Sequence, residues 1–576
     1  MPYTALDQNG LKTHRSLLEI PGPDLHPVLI ARHMLQLAIF LQHLHPDLHP
    51  EIKGLPESPR AMMERLANLA INLVTTNDEL LGSIEGLECV MIECMYQANI
   101  GNLRRSWVAG RRATSIAQLM GLHRPHQRAQ YKVLDPRTKH DPQLMWLRIV
   151  FLDRNLCLML GLPEASPDCS MASEELLVGD TPMGRLERRH CVIASRILGR
   201  NACGPSPETF ALTRTLDAEL QKAARSLPSK WWLAPNLDPA SADPQTRFWD
   251  TRRLFAQVLH YNLLNQLHLP YMLRSSSSGR RKYEYSRITC VNASREVLSR
   301  FITLRRFNRI AYSCRTIDFL ALMAAMTLLL AHLDSSQRPE NENLLAHQYL
   351  SDRAMIEQAQ ENMREVNRLS SDALSAQSAD LLERLLAIEI DAETVSVQET
   401  VTEAALRGPD RDQGDNVFVS VHIPYFGIIK IAREGMSKVV PGRQVTTPSP
   451  IVQNSTTTPS TDTMVEETQA SASGFSGPDR ISNTGTEVVE PMAISQQGIS
   501  NSHSKTQSPC QLGVFSTPEP GDINDVAEDF TPQPPASLEP FLEHGGDPGL
   551  TAGGEDWAFQ GVDTAFFESL MRDPGD

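Results

Sequence analysis

Apolar residues recur every three or four positions through most of residues 28–400 of this sequence. The stretch Val28–Leu44, VLIARHMLQLAIFLQHL, is typical, because that spacing places its apolar side chains on one face of a helix. A helix start is marked by Ser58 and Pro59, since serine caps a first turn and proline suits its first position. The repeated spacing predicts an all-α fold, a helical bundle or superhelix in which helices pack on helices.

Two further helices are predicted, one from the glycine that follows it and one from its apolar composition. One is predicted from Leu103 to Met120, and Gly121 follows it at a position that suits a left-handed cap. The other contains Phe319–Ala331, FLALMAAMTLLLA, which is apolar on all sides. A membrane span needs about 20 apolar residues, so this 13-residue stretch predicts a buried core helix and no membrane association.

Two segments interrupt the helical pattern. A Ser/Gly run followed by basic residues predicts a loop near 274–283. Residues 415–431 instead alternate apolar and polar positions around a Pro-Tyr-Phe-Gly corner, which predicts a small β-hairpin. The alternating apolar residues of its first strand are Val417, Val419, Val421 and Ile423.

Composition and charge divide the chain into four parts. Residues 1–27 form a short lead-in, and the helical domain with its hairpin occupies 28–440. Residues 441–554 are rich in Ser, Thr, Pro and Gly, which predicts a long disordered linker, and 555–576 combine acids with aromatic residues. The net charge of −15 belongs to the tail: residues 521–576 carry 13 acids and one arginine, whereas 1–440 carry 49 acids and 50 bases.

The sequence shows no motif of a known enzyme class or cofactor site. It contains no nucleophile elbow, P-loop, dinucleotide fingerprint or zinc-protease motif, so we expect a non-enzyme without a cofactor. Its nine scattered cysteines suit a reducing compartment, and Met1–Gly10 does not resemble a signal peptide. His43, His45 and His49 have spacing that a metal site would accept, but the flanking prolines favour a loop that ends a helix.

Several segments together resemble the fungal-specific transcription factor domain, the all-helical middle region of fungal zinc-cluster regulators. The similarity extends over about residues 15–435, and it rests on the shared order of its pieces, because each piece alone is short. The pieces are WVAGRRATSIAQLMGLHRP (107–125), WLRIVFLDRNLCLMLGLPEASPD (146–168), LPSKWWLAP (227–235), HLPYMLRS (268–275), YSRITCVNASREVL (285–298) and IDFLALMAAMTLLLAHL (317–333).

The resemblance implies structural roles for a set of matched residues in the first two pieces. Adjacent Asp153 and Arg154 are interpreted as an ion pair at a helix end. The full set is Gly121, His123, Arg124, Trp146, Asp153, Arg154, Gly161 and Pro163.

The sequence departs from the family at its DNA-binding element. Relatives usually carry an N-terminal zinc cluster held by six cysteines, and such sites need Cys-x₂-Cys pairs. This sequence has no Cys-x₂-Cys, and its first cysteine is Cys89. We therefore expect no zinc and no specific DNA binding by this chain alone.

Two groups of basic residues are candidates for contacting DNA phosphates. Arg280, Arg281 and Lys282 form the basic part of the predicted loop, and a second group surrounds the helix that ends near Gly121. Because residues 1–440 are almost neutral, solvated helix faces paired with neighbouring acids are the favoured interpretation. The second group comprises Arg104, Arg105, Arg111, Arg112 and Arg124.

The C-terminal segment combines acids with aromatic and aliphatic residues. Asp563 suits an N-cap, and side chains four residues apart would then share one helical face. So short a helix is marginal in water, which predicts that it forms against a partner. This pattern is typical of an acidic activation segment, and docking onto the protein's own helical domain is the alternative. Its apolar residues are Trp557, Phe559, Val562, Phe566, Phe567, Leu570 and Met571.

Together these features predict a nuclear transcriptional regulator, an activator or co-regulator of a fungal gene set such as a secondary-metabolite cluster. Its expected partners are the transcription machinery or a coactivator, with another DNA-binding factor and a homo- or heterodimer left open. Two alternatives also remain open: a truncated gene for a full zinc-cluster factor, and a ligand-sensing or scaffold module without transcriptional output.

Overall fold

The computed structural model describes residues 19–438, apart from residues 48, 125–129, 139, 205, 236–243, 274–279, 308–314, 337–342, 371–372, 400–417, 424–426 and 433–434. The described part contains thirteen α-helices and three short strands. The helices are α1 Pro27–Leu41, α2 Pro59–Ala70, α3 Ile84–Asn99, α4 Leu103–Leu119, α5 Pro142–Leu160, α6 Glu174–Val178, α7 Pro182–Ala202, α8 Pro207–Arg225, α9 Pro244–Met272, α10 Arg280–Phe307, α11 Arg315–Ser336, α12 Tyr349–Ser370 and α13 Ala373–Glu399. The all-α prediction is confirmed.

Several helices begin at a residue pair that can be read from the sequence. In α2 the Ser58 hydroxyl accepts a hydrogen bond from the Ala61 amide, and proline occupies the first helical position. The same arrangement begins α5 after Asp141, α7 after Thr181 and α8 after Ser206. Each cap satisfies backbone N–H groups that the first turn would otherwise leave without a partner.

Helix α11 forms the centre of the main hydrophobic core. Every residue from Ile317 to Leu333 is buried, and the surrounding side chains come from α3, α4, α5, α9, α10, α12 and α13. By length and composition α11 resembles a membrane span, but 94% of its most apolar stretch is buried inside the protein. The prediction of a buried core helix is therefore confirmed.

A buried ion pair connects α10 to α11. The Arg305 Nε donates to the Asp318 carboxylate at 3.0 Å, and Arg315 Nη1 lies 3.7 Å from the other oxygen of that carboxylate. All three side chains are almost completely buried. The pairing accounts for charged residues at the start of an otherwise apolar helix, because a buried charge needs a partner.

The strands lie at the C-terminal end of the described residues. β1 Phe418–Ile423, β2 Gly427–Ala432 and β3 Gly435–Lys438 form an antiparallel sheet in the order β1-β2-β3. Val419 pairs with Ile431, which pairs in turn with Met436. The hairpin expected at 415–431 falls on β1 and β2, and the sequence reading missed the third strand. β1 contacts α13, and β3 contacts α11.

The loop expected near 274–283 needs a correction. Residues 274–279 lie outside the described residues, but the chain is helical from Arg280 onward. Buried Ser286, Arg287 and Cys290 give this segment a helical face against the core. The three basic residues at 280–282 therefore belong to the first turn of α10 and not to a loop.

Candidate functional site

The residues matched to the family motif lie along α5, in the loop that follows it, and at the C-terminal end of α4. Gly161 ends α5 with φ of 70°, in the left-handed region that favours glycine, and the Leu162 amide donates to the Cys157 carbonyl at 3.1 Å. The chain then turns back along α5. We call residues 161–169 the return loop.

Arg154 holds the return loop against α5. Its side chain is completely buried, and its Nε pairs with Glu164 at 2.8 Å. Its two terminal nitrogens donate to the carbonyls of Ser166 at 2.9 Å, Asp168 at 2.7 Å and Cys191 at 3.0 Å. Burial alone would lower the pKa of Arg154, but the facing groups, Cys191 and Glu164 among them, raise it overall. One guanidinium thus satisfies groups on the return loop and on α7.

Asp153 fixes the return loop from a different direction. One carboxylate oxygen accepts a hydrogen bond from the Ala165 amide at 2.8 Å, and the other lies 3.2 Å from Arg111 Nε. Arg111 also donates to the Pro163 carbonyl and stacks over the Trp107 ring at 4.6 Å. Burial raises the pKa of Asp153, while the Ala165 amide and Arg111 oppose that rise.

The expected ion pair between Asp153 and Arg154 is wrong. The two residues lie within α5, not at its end, and each pairs with a different partner: Arg111 and Glu164, respectively. Adjacent helical residues do not face each other, so their side chains point to different neighbours. Both residues instead bind the return loop through buried contacts.

The other motif residues lie close by. The Trp146 indole donates to the Asp168 carboxylate at 2.8 Å, and its ring centre lies 6.0 Å from that of His123. Gly121 ends α4 with φ of 77°, and Arg124 Nε lies 3.1 Å from His123 Nε2. The structure therefore brings the motif together as a connection between α4, α5 and the return loop.

Two buried thiols near this cluster, those of Cys157 and Cys191, are not activated. Burial raises the pKa of Cys157 to about 12 and that of Cys191 to about 11. Reactive or metal-binding cysteines show the opposite shift, because the thiolate is the reactive form. These two thiols therefore do not act as nucleophiles, and the contacts described above position the chain.

Three of the basic residues whose side chains the structure describes contact other groups of the protein: Lys282, Arg111 and Arg112. Lys282 Nζ lies 5.4 Å from the Tyr283 ring centre and 5.7 Å from that of Phe210. In the second group, Arg111 pairs with Asp153, and Arg112 donates to the Thr75 carbonyl at 2.9 Å. The pair of Arg111 with Asp153 is of the expected kind, a basic residue beside an acid, whereas Lys282 meets aromatic rings and Arg112 a carbonyl. These contacts leave Arg111 and Arg112 poorly placed for phosphate.

The histidines near 43–49 lie where α1 ends. The His45 amide donates to His49 Nδ1 at 3.1 Å, so these two residues contact each other within the turn. Across the described residues, no group of three or more His, Cys, Asp or Glu side chains is arranged to hold a metal ion. The acidic-aromatic segment at 555–576 and the linker before it lie outside the described residues.

Sequence reasoning missed a row of buried polar residues on α9. His260 meets His190 of α7 at 3.0 Å, and burial lowers the pKa of both, to about 4 for His260. Asn262 and Asn265 follow on the same helix, each less than 5% exposed. The sequence of α9 did contain a signal for this row, because polar residues recur at helical spacing among its apolar residues.

Comparison with known proteins gives similarity over nearly the whole chain. It is 57% identical to a dehydrocurvularin biosynthesis regulator of Aspergillus terreus, over 100% of this chain and 76% of the relative. It is 56% identical to a protein of the same description from Alternaria cinerariae, over 99% of this chain and 76% of that relative. Transcription factor sdnS of Sordaria araneosa is 34% identical over 99% of this chain and 71% of its own length. No family model and no solved structure matches the chain.

Proposed function

We propose that this chain, which belongs to a family of fungal transcription regulators of biosynthetic pathways, activates a set of secondary-metabolite genes in the nucleus. The observation that carries the proposal is the 57% identity to a named biosynthesis regulator along the full chain. The relatives are named as regulators or transcription factors and not as enzymes. The motif residues join helices through hydrogen bonds, which supports a structural role for them in such a regulator.

The helical domain would serve as the regulatory body of the protein. Its resemblance to the fungal-specific transcription factor domain supports this assignment. So does the return loop, where several motif residues hold one another: Arg154 and Asp153 each bind that loop through buried contacts.

The C-terminal segment would contact the transcription machinery or a coactivator. Its acids and aromatic residues form the pattern that predicts a short helix on a partner surface, as the sequence analysis describes. The 12 excess negative charges of residues 521–576 would steer it toward a basic surface. This part of the proposal rests on sequence alone.

DNA reading would come from outside these 576 residues. The sequence holds no Cys-x₂-Cys pair for a zinc cluster, and residues 1–440 are almost neutral. Another DNA-binding factor would provide that step, or a zinc cluster encoded upstream of this sequence would.

Tethering the chain to a heterologous DNA-binding domain tests the proposed activity. The full chain fused to that domain is expected to raise transcription of a reporter well above the level given by the DNA-binding domain alone. A matched fusion that ends at residue 440 is expected to lose most of this activity. A full-length fusion that reaches the nucleus and leaves reporter transcription unchanged would argue against an activator.

A further inference from the structure

A cavity lies within the helical domain, away from the return loop's hydrogen bonds. It has a volume of about 170 Å³ and is bounded by α5, α7, α9 and α11. Its wall is mainly apolar, and the apolar side chains include Phe151, Met159, Phe255, Leu259, Ile317 and Leu320. The cavity is partly open to solvent, so a small molecule can reach it.

The wall of this cavity includes the side-chain amide of Asn262. Asn262 is 4% exposed, and its side chain makes no hydrogen bond in the part of the chain that the structure describes. Its neighbour Asn265, one turn away, is equally buried but donates to Ser294 at 3.2 Å and to Thr327 at 3.4 Å. Of these two amides, the Asn265 side-chain oxygen is the atom that is fully enclosed and unpaired, whereas the Asn262 amide is reached from the cavity and can pair with a molecule that fills it.

The charged residues at the edge of the cavity balance each other. Glu187 pairs with Arg148 at 2.8 Å and with Arg252 at 3.2 Å, and both Glu187 and Arg252 lie in the wall. Because the glutamate is already held by two guanidinium groups, the cavity contains no unpaired acid for a cationic ligand. Asn155 adds a polar group to the wall. Its side-chain Nδ2 donates to the Phe151 carbonyl at 2.7 Å, and its side-chain Oδ1 remains able to accept a hydrogen bond.

The volume limits what the cavity can hold. An apolar cavity of about 150 Å³ binds benzene, so a space of about 170 Å³ accepts one six-membered ring with a small substituent. Apolar walls with a few fixed polar groups are typical of small-molecule sites. A hydroxyl substituent can accept from the Asn262 amide nitrogen or donate to its carbonyl oxygen.

We propose that this cavity is a binding site for a neutral molecule of about one ring that carries a hydroxyl group, with Asn262 as the residue that pairs with that group. The site is a property of the helical domain and does not depend on the proposed transcriptional activity. Its test therefore uses binding and melting, and leaves reporter transcription aside.

Two fluorinated probes of nearly equal size distinguish the ring from the hydroxyl group. 4-Fluorophenol and fluorobenzene would each be titrated against the full chain by ¹⁹F NMR. We expect both probes to bind, with 4-fluorophenol bound about fivefold more tightly through the hydrogen bond to Asn262. 4-Fluorophenol is also expected to raise Tm, because a ligand that binds the folded state stabilises it.

Two substitutions locate the site. Ala256 is buried in the cavity wall, so Ala256→Met should fill the space and remove binding of both probes. Asn262→Leu should keep the space and abolish the preference for 4-fluorophenol without lowering Tm. Asn265→Leu is the matched control: it should lower Tm, since its amide is hydrogen bonded, and keep the probe preference wherever the protein remains folded.

The outcomes decide the proposal in either direction. Loss of both probes in Ala256→Met, together with loss of the preference in Asn262→Leu, supports it. Failure of the parent chain to bind either probe at millimolar concentration would overturn it, and the cavity would then hold only water. Undiminished binding in Ala256→Met, or an unchanged preference in Asn262→Leu, would also overturn it, because the probes would then occupy another place.

Discussion

Replacing Arg154 with methionine is expected to lower the free energy of unfolding by about 3–5 kcal/mol. The substitution removes the hydrogen bonds to Ser166, Asp168 and Cys191, and it leaves Glu164 without its ionic partner. Losing one member of a buried pair is more costly than losing both, because the remaining charge is no longer compensated. Urea unfolding of the full-length protein, followed by tryptophan fluorescence, measures the change.

A matched control and a double variant sharpen this test. Arg137 pairs with Asp135 but is 83% exposed, so Arg137→Met should cost less than about 1 kcal/mol. Adding Glu164→Gln to Arg154→Met should recover part of the lost stability, since it removes the uncompensated carboxylate. Equal effects of Arg154→Met and Arg137→Met would show that Arg154 does not hold the return loop.

Replacing Phe566 and Phe567 together with alanine is expected to abolish most activation by the tethered chain. Burying one phenylalanine in a partner groove contributes about 1.5–3 kcal/mol, so two contribute at least about 3 kcal/mol. That loss corresponds to a reduction in partner affinity of roughly a hundredfold or more. Reporter transcription from the full-length fusion, and from residues 541–576 alone, measures the effect.

Charge substitution in the same segment provides the comparison. Asp573→Asn should weaken activation only modestly, because an exposed acid contributes mainly to steering. If the double alanine variant activates as well as the parent, these aromatic residues are not the activating surface. If it instead lowers the Tm of the full-length protein by several degrees, the segment docks on the helical domain, which was the alternative reading.

The features that sequence predicted well depend on local chemistry. Ser58 with Pro59 marks a helix start, and Gly121 marks a helix end, because caps and φ preferences act over a few residues. The burial of α11 also follows from its own composition, since a helix that is apolar on every side must be surrounded by other elements.

The features that sequence missed depend on contacts between distant parts of the chain. Asp153 and Arg154 are adjacent in sequence, yet Asp153 pairs with Arg111, 42 positions earlier, and Arg154 binds a carbonyl on α7. Asn262 and Asn265 look equivalent in the sequence, but Ser294 and Thr327 approach only Asn265. Spacing along one helix does not indicate which residues of other helices lie opposite it.

The regulator assignment is tested most directly by transcript levels after deletion of this gene in the fungus that carries it. We predict that transcripts of a group of biosynthetic genes fall together, and that the intact gene restores them while the Phe566→Ala, Phe567→Ala variant does not. Unchanged transcript levels across the genome, under conditions in which this gene is expressed, would contradict the assignment.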